Sequence, residues 1–353
     1  MAVHLRTGVS GNLGGSKIMR RFLLALAASS VSGASAFAQD IPQLSLRYSA
    51  HVPEAVYLSK VDVAFTKEIT EKTGGKVTFQ HYWSNALGNE GEMAQMVAAE
   101  AVDMATIVTG NNPSLLPLSG VTNAVPFVFS DDISAVDATR KLFHENEAIK
   151  AEFEATNLKP LIIRHLPEYR LLCRTPIKKI EDLAGKKVRT YGAFVPQMFT
   201  ALNATPVTVQ PLEMNEALER GTVDCIYLTY ATFHAFKLHK SAKYLSDVNF
   251  GTINAYTTFT SQSEWNAWPQ SLQTIILDAA ANAERMSLEI SKTADETALQ
   301  TMLSEGAELV KFDDQEKLAT VIPDMLDVWV KNMEGQGKGD QAKQIVETIR
   351  APK

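Results

Sequence analysis

Apolar positions recur along this chain in two alternating rhythms. Residues 44–49 (LSLRYS) alternate apolar with polar, the period of a half-buried strand. From 57 to 72 the period becomes that of a helix, with Leu58, Val61, Phe65 and Ile69 on one face and Gly74-Gly75 as its stop. Residues 76–82 alternate again through Val77 and Phe79. The turn 84–88 leads to a helix from about 90 to 100, buried through Met93, Met96 and Val97, and a third strand runs from Val102 to Val108. Strand, helix, strand, helix, strand predicts a parallel sheet with helices on its faces. Ligands of such sheets gather beyond the carboxyl ends of the strands. Those ends carry His51 and Asn111, both candidate site residues.

A strand over 159–163 leads out of this first unit, and the rhythm repeats from 185 to 228. Within EDLAGKKVRTYG, an acidic turn stops at Gly185 and runs into Val188, Thr190 and Tyr191, all β-formers. Arg189 falls at or near the end of that short strand. A guanidinium held there by the backbone is shaped to grip a carboxylate through two parallel hydrogen bonds. By itself the fragment also fits a solvated arginine in a basic loop. A strand, a Pro-started helix ending at Gly221 and another strand follow over 207–228. The site-facing ends of this second unit hold Arg189, Tyr191, Phe194 and the 225–230 strand with Tyr227 and Tyr230. Residues 256–260 are β-rich. No Gly or Pro interrupts 270–305, so one helix of about 50 Å is predicted. A C-terminal helix over 314–332 and a polar, loose end over 335–353 complete the chain.

Several segments resemble the solute-binding proteins of tripartite ATP-independent periplasmic (TRAP) transporters. They are Asp182-Leu183-Ala184-Gly185 with Lys187-Val188-Arg189, Pro206-Val207, Glu213 with Ala217-Leu218, and Gly221-Thr222-Val223-Asp224. Earlier in the chain, Ser84, Leu87-Gly88, Val102-Asp103-Met104 and the 125–129 loop match as well. The resemblance covers nearly all of the chain from about Leu44. It implies an α/β fold, a two-lobed periplasmic binding protein clamshell with a long helix linking both lobes. Lobe I would comprise 39–165 plus about 254–290, and lobe II 166–253 plus about 291–353. It implies capture of an organic acid between the lobes and delivery to a sodium-coupled TRAP membrane permease, with no reaction catalysed. Arg189 would hold the substrate carboxylate. Arg170 matches a second family arginine if one residue is deleted before Pro176. Where many members carry a polar run after Val-Asp, this chain has Cys225-Ile226-Tyr227-Leu228-Thr229-Tyr230, so an asparagine contact is lost at Leu228. Tyr191, Tyr227, Tyr230 and Phe194 offer aromatic and hydroxyl surface instead. The pocket is expected to suit a monocarboxylate, keto acid or aromatic acid better than a sugar acid.

Address and charge narrow the picture further. Met19-Arg20-Arg21, the short apolar run 22–28 and Ala36-Phe37-Ala38 have the layout of a signal peptide. Residues 1–18 read as an upstream extension, and the mature periplasmic chain is expected to begin at Gln39. Removing 1–38 takes away four basic residues and no acidic one, moving the formal charge from −6 to −10. That balance does not suit nucleic acid. A monomer without cofactor or metal is expected. No G-x-x-x-x-G-K-[ST], G-x-S-x-G or H-E-x-x-H is present, and His234 and His239 read as a helix surface. Cys173 and Cys225 read as two buried free thiols, with a disulfide as the alternative that an oxidising compartment permits. The rival functions are a binding protein of an ATP-driven importer, a ligand-sensing periplasmic subunit and an exported enzyme.

Overall fold

The structure is a computed structural model that describes residues 41–351 apart from positions 130 and 254. The expected upstream extension, the signal segment and Gln39 lie outside the described residues. Residues 42–353 cluster as one compact unit.

Two sheets organise this unit. The first has the order β2-β1-β3-β10-β4, built from β1 (Leu44–Ala50), β2 (Val77–Tyr82), β3 (Met104–Val108), β4 (Leu158–His165) and β10 (Ala255–Ser261). The second has the order β11-β9-β5-β8-β6-β7, built from β5 (Arg170–Cys173), β6 (Lys187–Thr190), β7 (Thr205–Thr208), β8 (Cys225–Leu228), β9 (Tyr244–Ser246) and β11 (Glu308–Val310). The expected parallel units are present: β1 pairs with β2 and β3, and β6 with β7 and β8, all parallel. Each sheet is nevertheless mixed. β10 returns antiparallel between β3 and β4, and β5 runs antiparallel to β8 and β9.

The helices follow the apolar stripes. They are α1 (Tyr57–Lys72), α2 (Glu90–Ala98), α3 (Asp132–Glu145), α4 (Glu147–Ala155), α5 (Val195–Ala201), α6 (Met214–Glu219), α7 (Tyr230–Ala235) and α8 (Gln262–Ala267). Then comes α9 (Gln270–Ser304), an unbroken helix of 35 residues. It packs on α1 and β4 beside the first sheet and on α7 beside the second.

Three sequence expectations change here. The C-terminal helix is two helices, α10 (Gln315–Val321) and α11 (Met325–Gly335). Pro323 separates them, because proline lacks an N–H and clashes with the preceding turn. Asp324 caps α11 by accepting from Leu326 and Asp327 N–H. The polar end is helical too: α12 (Gly339–Arg350) buries Ala342, Ile345, Val346 and Ile349, a stripe that its many charges conceal. The Trp329 indole donates to Pro117 O at 3.2 Å, docking α11 beside the first sheet.

The cysteines are the third correction. Cys173 and Cys225 are joined by a disulfide, with Cα atoms 4.1 Å apart. They occupy directly opposed positions on β5 and β8. Two free thiols are therefore excluded, and nothing local in the sequence shows that these two strands are neighbours.

Candidate functional site

Arg189 sits on β6, with β7 on one side and β8 on the other. The residue is only 4% exposed. Its Nε donates to Val209 O at 3.0 Å, and its guanidinium lies 5.4 Å from the Tyr191 ring centroid. Neither Nη has a hydrogen-bond partner, and no carboxylate lies within ion-pair distance, among the described residues. Burial pushes its pKa below the usual arginine value, opposed by the electrostatic pull of Tyr169, Glu90 and Tyr191. A buried cation without a counter-ion is costly unless something supplies the anion.

The guanidinium opens on a cleft of about 720 Å³, counting the space at its solvent-open mouth. Five of the eight predicted residues line it: His51, Asn111, Arg189, Tyr191 and Tyr227. They come from both sheets. His51 follows β1 and Asn111 follows β3, while Tyr191 follows β6 and Tyr227 lies on β8. All four stand at or just beyond the carboxyl ends of their strands, where ligands of α/β sheets gather.

The other three are placed elsewhere. Arg170 Nη1 donates to Asp247 O at 2.8 Å and Val248 O at 3.3 Å, with its guanidinium 5.6 Å from the Tyr230 ring centroid. Tyr230 donates to Ser246 O at 2.9 Å. Phe194 caps α5, and its backbone N–H donates to Asn123 Oδ1 at 3.1 Å, outside the cleft lining. His239, expected on a helix surface, is buried and bonded to Glu305 at 2.7 Å.

The walls combine apolar surface with a few uncommitted polar atoms. Val52, Val56, Leu58, Val108, Leu166 and Met214 supply apolar wall. Tyr169 packs on Tyr227 at 4.8 Å between centroids, and His51 meets Tyr256 edge-on at 5.4 Å. Burial raises the pKa of Tyr227 and Tyr256 well above the usual value, so both keep their hydroxyl protons. Both hydroxyl oxygens are buried without a partner, as are His51 Nδ1 and Asn111 Oδ1.

The model of the family described as bacterial extracellular solute-binding protein, family 7, matches residues 50–334. The chain belongs to that family. A solute-binding protein of Sulfitobacter sp. (strain NAS-14.1) is 23% identical over 318 residues, 87% of this chain and 91% of that one. A TRAP periplasmic solute-binding protein of Roseobacter denitrificans, solved with bound β-D-glucuronate, is similar with a TM-score of 0.78 at 18% identity, covering 88% of this chain and 100% of that chain. An extracytoplasmic solute receptor of Bordetella pertussis binding pyroglutamic acid gives 0.77 at 20% identity, covering 87% and 100%. These likenesses show the two-lobed α/β fold. A family-7 protein is a transport receptor and not an enzyme.

Two lining residues of the cleft, Glu90 and Tyr256, carry no local sequence signal for that place. Glu90, only 3% exposed, is the first residue of α2 and looks in sequence like any acidic residue at a helix start. Tyr256 lies on β10, whose insertion beside β3 no local pattern announces. Among the described residues no group of three or more His, Cys, Asp or Glu could hold a metal ion. No described helix is long and apolar enough to cross a membrane.

Proposed function

We propose that this receptor captures a small organic carboxylate in the periplasm, between its two sheets, and delivers it to the sodium-coupled membrane permease of a TRAP transporter. The buried Arg189 with both Nη groups uncommitted carries this reading. A carboxylate would satisfy the fork with two parallel bonds and remove the penalty of the unpaired charge. Because the lining comes from both sheets, a ligand touching both favours the closed arrangement. The lobes divide with β1 to β4 and β10 in one and the remaining strands in the other, α9 spanning both and α11 docking on the first.

The apolar and aromatic walls support a monocarboxylate, keto acid or aromatic acid over a highly hydroxylated sugar acid. A sugar acid brings four or five hydroxyls, and the walls offer few groups to meet them. The Roseobacter denitrificans protein with β-D-glucuronate and the Bordetella pertussis receptor with pyroglutamic acid support the acid class. Mature protein starting at Gln39 and the disulfide in an oxidising compartment fit the same address.

Thermal unfolding against a panel of organic acids tests the proposal. A ligand at a hundred times its Kd adds about 2.7 kcal/mol and raises the midpoint by several degrees. Arg189→Ala should abolish the shift, and Arg189→Lys should lose most of it, because an ammonium cannot form the two parallel bonds. Equal shifts in wild type and Arg189→Ala would show that the anchor lies elsewhere.

A further inference from the structure

The uncommitted groups of the cleft are unequally distributed in kind. On the second-sheet side they are donors: the two Arg189 Nη atoms and the Tyr227 hydroxyl. On the first-sheet side two of them are acceptors. Glu90 is buried at the start of α2, and among the described residues its carboxylate accepts one hydrogen bond, from Asn111 Nδ2 to Oε1 at 2.9 Å. A carboxylate only accepts, so this bond fixes the Asn111 amide with its nitrogen on Glu90. Asn111 Oδ1 is therefore the group left over, and it is buried without a partner. His51 Nδ1 lies 3.9 Å from Glu90 Oε1, too far for a hydrogen bond.

We infer that the ligand carries, besides its carboxylate, an N–H or O–H donor on its far side, and that Glu90 with Asn111 Oδ1 receives it. Glu90 is then a specificity-determining residue. The inference rests on the carboxylate reading of Arg189. An acid without a donor desolvates Glu90 and Asn111 Oδ1 and returns nothing to either. An acid with a donor satisfies both ends of the cleft at once. Sites built around a hydrogen bond to a substrate N–H or O–H reject analogues lacking it far more strongly than sites that differ by a methylene.

Isosteric pairs of planar acids isolate this feature in the mature protein. Indole-5-carboxylate and benzofuran-5-carboxylate share shape and charge but exchange a ring N–H across the ring system from the carboxylate for a ring oxygen, and pyrrole-3-carboxylate and 3-furoate make the same exchange in a smaller ring. Calorimetric titration should find the N–H member of a pair at least ~10-fold tighter. In Glu90→Gln that preference should collapse or invert, because the glutamine carbonyl takes Asn111 Nδ2 and its NH₂ then faces the ligand. Asn111→Ala, which removes the second acceptor, should also shrink the preference and serves if Glu90→Gln does not fold. Equal affinities within a pair overturn the inference and leave the Arg189 clamp standing. A preference unchanged in Glu90→Gln overturns it too, as does a gain in affinity for both members alike, the mark of a plain counter-charge to Arg189. Retention of both members by Arg189→Ala would instead sink the carboxylate reading itself.

Discussion

Among the described residues two arginines are buried, Arg164 and Arg189, and only Arg164 meets a carboxylate within ion-pair distance. Arg164 is fully buried on β4, and its Nη2 donates to Asp62 Oδ1 at 2.7 Å. The same Asp62 oxygen accepts from Tyr48 OH at 2.6 Å and Thr106 Oγ1 at 3.1 Å. Arg164 also lies 4.9 Å from the Tyr256 ring centroid, behind the cleft wall. Its charge is answered within the protein, whereas Arg189 has only a carbonyl and a ring. Removing one member of the Arg164 pair strands the other in a dry interior. Asp62→Asn should therefore cost about 3–5 kcal/mol, measured by urea unfolding. The double change Asp62→Leu/Arg164→Met should recover most of that loss, since well-packed apolar residues can replace a buried pair. A double variant as unstable as the single one would show that the network does more than balance charge.

At the scale of elements, α9 changes character along its length. Its buried positions begin with Leu272, Ile276, Ala279, Ala280 and Ala283 and continue with Ser287, Ser291 and Asp295. The Asp295 carboxylate accepts from the Ala231 N–H at 2.8 Å, tying α9 to the start of α7 beside the second sheet. Burial pushes its pKa up to about 6, against the pull of the Ala231 hydrogen bond and Arg170. A carboxyl group raised in the folded state binds more protons folded than unfolded between about pH 4 and 6. Stability from this group is thus present at low pH and lost as pH rises through that window. Asp295→Asn should lack this slope and be more stable than wild type at pH 7 by about 2 kcal/mol. Denaturant midpoints for both proteins from pH 4 to 8 check this, and parallel profiles would remove Asp295 as the responsible group.

At the scale of the whole molecule, the disulfide closes a loop across 52 residues and clamps β5 to β8. β8 carries Tyr227 and neighbours β6 with Arg189, so the bridge braces the second-sheet wall of the cleft. Replacing both cysteines by serine should lower stability by about 2–4 kcal/mol. Acid affinity should change little once the variant is folded. Alkylation of the denatured, unreduced wild type should label neither cysteine, and labelling of both would remove the bridge from the account.

Part of the order of strands and helices was legible because side-chain period is a local property: the limits of α1 and α9 and the end of β6 follow from it, whereas α3, α4, β9 and β11 carried no expectation and α12 was hidden by its charges. That Arg189, His51 and Asn111 would meet in one cleft was legible for the same reason, since strand ends in an α/β sheet lie along one edge before any contact is known. Pairing was not legible. The Cys173–Cys225 bridge, the insertion of β10 between β3 and β4, and the docking of α11 on Pro117 join residues far apart in sequence. Glu90 shows the same divide within one site: its place at the start of α2 is readable, while its burial against Asn111 exists only once α2 and the end of β3 meet. Local periodicity determined the elements and the charge held at a strand end. Only the packing of distant segments decided which polar groups are desolvated without a partner, because burial and pairing depend on which segments meet.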